Sequence, residues 1–209
     1  SGDDVTLHVL GSDKADFSNP DDCVAFVEAT DADVVINAAA FTAVDQAETD
    51  EERAILINAT TPGRLSVAAA KRGLPFVQVS TDYVFDGSGS EPFQTDHPTN
   101  PIGAYGRSKL LREHGVRDAD GAHATLRTSW VVSAHGNNFV KTMQKLSEER
   151  DTLNIIDDQI GTPTNAGDLA KTILDILPQI ENKKVEIYNY SNEGVLSWYD
   201  FAKEIMKMA

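Results

Sequence analysis

Tyr105 and Lys109 stand four residues apart in the segment GAYGRSKL, and Thr81 lies in the turn STDYVF that follows an apolar run. On a helix, positions i and i+4 share a face, so an ammonium group there can sit beside a phenol and favour its ionised form. A hydroxyl at the end of the preceding strand can bind the same substrate oxygen that the tyrosine protonates. Together these residue types make a proton-transfer site for interconverting a carbonyl and an alcohol. The spacing alone is a weak signal, because five tyrosines and ten lysines in 209 residues give about one chance pair per four such chains. Tyr199 and Lys203 form a second pair with the same spacing. No strand ending in Ser or Thr lies at a suitable distance upstream of it, so that pair is expected on a surface helix.

The elements that must position Thr81, Tyr105 and Lys109 follow from periodicity and punctuation. Strands are predicted at 5–10, 33–37, 74–80, 123–128, 153–156 and 185–190. The run DVVIN is nearly continuous in apolar residues, the pattern of a parallel strand buried on both faces. Helices are predicted at 21–30, 49–73, 105–117, 139–150, 168–180 and 198–208, the last capped by Ser197, with Pro62 bending or breaking the second. The connection from Ser80 to Tyr105 exceeds 20 residues and carries several prolines and glycines, so it is expected to shape a pocket. Strands alternating with helices imply an α/β fold with a parallel sheet and right-handed crossovers.

Composition narrows the function classes. At 41% hydrophobic content the chain can build a full core. A net charge of −15 argues against binding nucleic acid or an anionic membrane surface. No run of 18 apolar residues occurs, and the first residues lack the basic and apolar regions of a signal peptide. Cys23 is the single cysteine, which excludes an internal disulfide and suits a reducing cytoplasm; it is expected as a small buried residue. The five histidines show no metal-ligand spacing, and no metal site is predicted.

The segments NAAAFTAVDQAE, STDYVFDG, YGRSK, RTSWV, NNF and DQIGTPT, in this order, resemble the dTDP-4-dehydrorhamnose reductases of the extended short-chain dehydrogenase/reductase superfamily. The likeness runs from about Asp16 to the final helix. It implies a Rossmann-like, doubly wound sheet, with residues 1–130 as the dinucleotide-binding part and 131–209 as a small, incomplete substrate-binding part. It implies Thr81, Tyr105 and Lys109 as the catalytic set, with Tyr105 the general acid and Lys109 on the nicotinamide ribose. Asp16 and Phe17 match the segment flanking the adenine. Ala38, Ala39 and Ala40 match the turn lining the cofactor, and Ser80 closes its nicotinamide end. Thr42, Val84, Trp130, Asn137 and Asn138 match positions near the sugar nucleotide. The implied reaction is NADPH- or NADH-dependent reduction of the C4 keto group of dTDP-4-dehydro-L-rhamnose in the cytoplasm. By resemblance alone, Mg2+ at a dimer contact joins the expectations, and a homodimer is compatible with them.

The sequence departs from the family at both ends. No G-x-x-G-x-x-G turn is present, and Val5–Leu10 aligns with the family's second strand, so one βα unit and the closing C-terminal segment are expected to be missing. A central strand is then absent from the sheet, and weak dinucleotide binding and reduced stability are expected. Micromolar affinity in an NADPH titration contradicts that expectation. Near the end of the 5–10 run stand Gly11, Ser12, Asp13 and Lys14, which do not separate NAD from NADP. Two alternatives share the motifs. One is a sugar-nucleotide epimerase or dehydratase, although Asp82 is followed by Tyr83 where a dehydratase has Asp-Glu. The other is a noncatalytic NADP-binding regulator of the kind that serves methionine adenosyltransferase.

Overall fold

The computed structural model describes residues 5–180 and 184–208. In chain order the helices are α1 (Pro20–Ala29), α2 (Val44–Thr49), α3 (Glu51–Ile55), α4 (Thr61–Lys71), α5 (Ala104–Arg117), α6 (Phe139–Glu149), α7 (Ala166–Ile176) and α8 (Trp198–Met208). The strands are β1 (Val35–Asn37), β2 (Phe76–Thr81), β3 (His123–Thr128), β4 (Val131–Val132), β5 (Ile160–Gly161), β6 (Thr164–Asn165), β7 (Val185–Asn189) and β8 (Leu196–Ser197). The main sheet has the order β1-β2-β3-β7, and β1 pairs with β2 in parallel, Val35 opposite Phe76. Two small ladders accompany it, β4 parallel to β6 and β5 antiparallel to β8.

The chain divides into two compact units, residues 1–125 with 180–186, and residues 126–179 with 187–209. In the first, Cys23 and Val27 of α1, Leu65, Ala68 and Ala69 of α4, Phe76 of β2 and Val116 of α5 form one buried cluster, with Phe17 and Val35 packed against it. Cys23 is a buried core residue whose thiol bonds the Asp16 carbonyl at 3.2 Å; burial pushes that thiol up. A second cluster joins Ala47 and Ala54 to Ala104 and Tyr105, so the start of α5 is fixed by packing against α2 and α3. In the other unit Met143 of α6 and Ala202 and Ile205 of α8 make the core.

Two predicted strands are absent. Val5–Leu10 has no strand structure, and Leu7 and Val9 are 66% and 80% exposed. A strand needs a neighbour for its N–H and C=O groups, and without one this apolar run stays irregular. Residues 153–156 form no strand, and Leu153 and Ile155 pack on the Met143 cluster instead of joining a ladder. The helix predicted over 49–73 is instead α3, a π-helical turn at Leu56–Thr60 and α4, with Pro62 in the first turn of α4. Proline has no N–H to give at that position, and the wider π turn just before it accommodates the loss. The expected stretch to Ile180 ends as α7 at Ile176 and a 3-10 turn at Leu177–Gln179, where Pro178 closes the helix. The expectation about a signal peptide rests partly on residues 1–4, which lie outside the described residues.

Candidate active site

β2 is buried almost throughout and ends at Thr81, from which the chain turns at once into a 3-10 helix, Asp82–Val84. Thr81 caps that turn: its hydroxyl accepts from the Tyr83 N–H at 3.3 Å and donates to the Asp82 carboxylate at 3.1 Å. Opposite stands α5, which opens at Ala104 with its N–H bonded to Glu48 Oε1 at 2.7 Å. Gly106 lets α5 close on the 3-10 turn, because a Cβ there would lie 2.3 Å from the Tyr83 carbonyl oxygen. The result seats the Tyr105 ring edge-on against Tyr83, centroids 5.6 Å apart.

Thr81, Tyr105 and Lys109 all come together in this unit, and all are buried, at 7%, 9% and 3% exposure. Lys109 Nζ donates to the Val79 carbonyl at 3.2 Å and lies 5.9 Å from the centre of the Tyr105 ring. Burial is the largest influence on the Tyr105 phenol and holds it above its ordinary range. Arg112 and then Thr81 pull it down, while Asp82 and Tyr83 push it further up. The phenol is therefore kept protonated at neutral pH, the form a general acid needs, and the bias toward ionisation expected from Lys109 is outweighed by burial. Burial also pushes the Asp82 carboxyl up to about 6 against the hydrogen bonds from Thr81 and the turn backbone.

Ser80 is buried, and its hydroxyl donates to Glu113 Oε1 at 2.6 Å, which ties β2 to α5 beneath the site. After β1 comes the turn Ala38–Ala40, with Ala38 and Ala39 exposed. Asn37 anchors it by accepting from Ala39 N at 3.0 Å and donating to Gln78 Oε1 at 2.9 Å. Asp16 is exposed, its carboxylate lowered by the backbone and hydroxyl of Ser18, and the Phe17 carbonyl accepts from Thr61 at 2.7 Å. Thr42 is exposed in the loop before α2, whereas Val84 is wholly buried.

In the other unit Trp130 has φ 46°, the only non-glycine residue with positive φ among those described. Such strain in a bulky residue persists only where surrounding packing enforces it, and it concentrates at functional sites. Here the ring stacks on Trp198 with centroids 3.6 Å apart, and Gly161 leaves space for it. Asn137 is exposed; Asn138 caps α6 by accepting from Lys141 N at 3.3 Å and donates to the Ser133 carbonyl at 2.7 Å. The second Tyr–Lys pair lies on α8, with Tyr199 42% exposed, and borders a cavity of about 270 Å³ with Ser147 and Arg150.

Sequence reasoning missed Asn58. It sits in the π turn with no exposure and holds both backbone groups of Phe41, accepting from N at 2.8 Å and donating to O at 3.0 Å. Its amide also donates to Ser108 Oγ at 3.0 Å, and that hydroxyl donates to the Tyr105 carbonyl at 2.7 Å. A single side chain thus couples the loop after the Ala turn to the helix carrying Tyr105. The signal was an amide in the midst of an apolar helical run, where Asn is a poor helix former.

A tyrosine, a lysine and a strand-end threonine thus meet beside the sheet of an α/β fold of the dinucleotide-binding class. Residues 1–209 match the family model described as RmlD substrate binding domain. The dTDP-4-dehydrorhamnose reductase of Burkholderia thailandensis is 40% identical over 203 residues, covering 94% of this chain and 68% of the relative. That of Salmonella typhimurium is 42% identical over 189 residues, covering 90% and 63%. The crystal structure of dTDP-4-dehydrorhamnose reductase from Bacillus anthracis in complex with NADP superposes with a TM-score of 0.89 at 36% identity, covering 95% of this chain and 70% of that one. The chain belongs to the dTDP-4-dehydrorhamnose reductase family, and it spans roughly two thirds of the length of these relatives, 63–70%.

Proposed function

We propose that the protein reduces the C4 keto group of dTDP-4-dehydro-L-rhamnose to give dTDP-L-rhamnose, with NADPH or NADH as the reductant, in nucleotide-sugar biosynthesis for cell-surface polysaccharide. The observation that carries this reading is the meeting of Thr81, Tyr105 and Lys109 at the end of β2 in a chain of this family. We assign the reaction to the cytoplasm, and residues 1–130 to binding the dinucleotide. By the family resemblance Thr42 in the first unit, and separately Trp130, Asn137 and Asn138 in the second, are assigned to the sugar nucleotide, whereas Val84, with no exposed surface, is a core residue.

The residues present suit the nicotinamide and ribose end of a dinucleotide, and the Gly-rich turn that takes its pyrophosphate is not among them. The Ala38–Ala40 turn has short side chains beyond the carboxyl end of β1, where α/β sheets take their ligands. Arg112 beneath it has two nitrogens, Nε and Nη2, without a partner. Lys109 has donors to spare beyond its one bond to Val79 and is the residue assigned to the ribose hydroxyls. When bound, the dinucleotide supplies the hydride. Tyr105 gives its proton to the oxygen that becomes an alkoxide, and Thr81 holds that oxygen in place. The NADP-bound relative favours NADPH as the partner.

The test is NADPH consumption on adding the sugar nucleotide, with the product identified by mass. One NADPH consumed per keto sugar reduced supports the reading. Binding of NADPH without turnover would favour a regulatory role, and release of water from the sugar a dehydratase.

A further inference from the structure

Arg112 lies on α5 with no exposed surface. Its Nη1 donates to the Ala39 carbonyl at 3.3 Å, while Nε and Nη2 have no hydrogen-bond partner. A buried guanidinium with two nitrogens, and so three N–H groups, unsatisfied is a costly arrangement, and packing alone is better served by an apolar side chain of similar volume. Tyr105, Lys109 and Arg112 fall at i, i+4 and i+7, which places all three along one face of the helix.

We propose that Arg112 is a positioning residue of the reductase site: its buried positive charge biases the Tyr105 phenol from two turns along the same helix face, and its Nη1 holds the Ala38–Ala40 turn through Ala39. The proposal rests on the reading of Tyr105 as the proton donor. Among the groups that draw the phenol down, Arg112 comes first. Burial lowers the guanidinium to about 10, with Tyr105 and Glu113 pulling it back, so it is cationic at neutral pH.

The other ionisable groups on elements packed against α5 are these. Asp82 and Tyr83 on the 3-10 turn oppose Arg112 at the phenol. On α2 stand Asp45 and Glu48, the latter bonded to Ala104 N, and on α3 stand Glu51, Glu52 and Arg53, with Glu51 paired to Arg107. On α4, Arg64 is paired to Asp21, and Lys71 lies in the last turn. The π turn and β2 contribute none.

The experiment uses Arg112→Met and Arg112→Lys, each alone and combined with Tyr105→Phe. Tyrosinate absorbance is followed against pH, and subtracting the matching Tyr105→Phe curve isolates Tyr105. In Arg112→Met its transition is expected to move up, by less than about one pH unit because Arg112 is only partly charged where the phenol titrates. Arg112→Lys, whose buried amine has lost its charge at the pH where the phenol titrates, is expected to leave the transition raised as in Arg112→Met. The alkaline limb of kcat should move with the titration, and the melting temperature of Arg112→Met should hold or rise as the unpaired N–H groups are removed. An unmoved Tyr105 transition in Arg112→Met overturns the proposal. So does a drop in melting temperature shared by both variants with no change in the pH profile, because Arg112 is then a packing residue. Near-normal turnover of Tyr105→Phe would instead sink the proton-donor reading, and the two failures are therefore distinguishable.

Discussion

Thr81, Asp82 and Tyr105 show how burial sets the chemistry of individual groups. Asp82 is held by the Thr81 hydroxyl, yet burial still pushes its carboxyl to about 6. The folded protein therefore holds a proton on Asp82 more tightly than the unfolded chain, whose carboxyl titrates near its ordinary value. The stability contributed by that proton is complete below about pH 4 and is lost as the pH rises through about 6. Asp82→Asn keeps the shape and removes the titration. Relative to the wild type it should gain stability between pH 4 and 7, by about 3 kcal/mol at most. Denaturant melts of both proteins across this range provide the check; parallel curves would show that Asp82 titrates normally.

α5 and the π turn act together at the scale of elements. Their contact depends on Gly106 and Asn58, and each makes a separate prediction. Gly106→Ala forces a methyl toward the Tyr83 carbonyl, so it should cost about 1–3 kcal/mol and displace Tyr105, lowering turnover more than the loss of folded protein explains. Asn58→Ala strands the N–H and C=O of Phe41 and should cost about 2–3 kcal/mol, read as a lower unfolding midpoint. An unfolding midpoint for Asn58→Ala equal to the wild type would mean that water replaces those bonds. The helix of Tyr105 was legible from its i, i+4 pair and its flanking turn, because local spacing carries that information. Asn58 was not, since its partners lie 17 and 50 residues away. Val5–Leu10 and residues 153–156 read as strands because alternation and β-branched content are local, whereas a ladder also requires a neighbour. The π turn before Pro62 escaped for a related reason: proline signals a break, but tertiary packing decides how the break is absorbed.

At the scale of the molecule, the buried β2 strand and the clusters on α4 and α5 hold Thr81 and Tyr105 in place. Phe76, with no exposure at the centre of the first cluster, is the side chain whose truncation to Ala should cost about 3–5 kcal/mol, seen as a large drop in unfolding midpoint. The α/β alternation that made the fold readable is a property of the whole chain, and the family relationship agrees with it. The division into two units was less readable, since β3 and β7 each contribute residues to both. Substrate-dependent NADPH oxidation, compared among the wild type, Tyr105→Phe and Tyr199→Phe at matched folded fraction, is the most direct test of the proposed chemistry. Loss of about 100-fold or more in Tyr105→Phe with Tyr199→Phe unchanged is expected for a general acid at Tyr105. Near-wild-type turnover in Tyr105→Phe, or an equal loss in both variants, would contradict it.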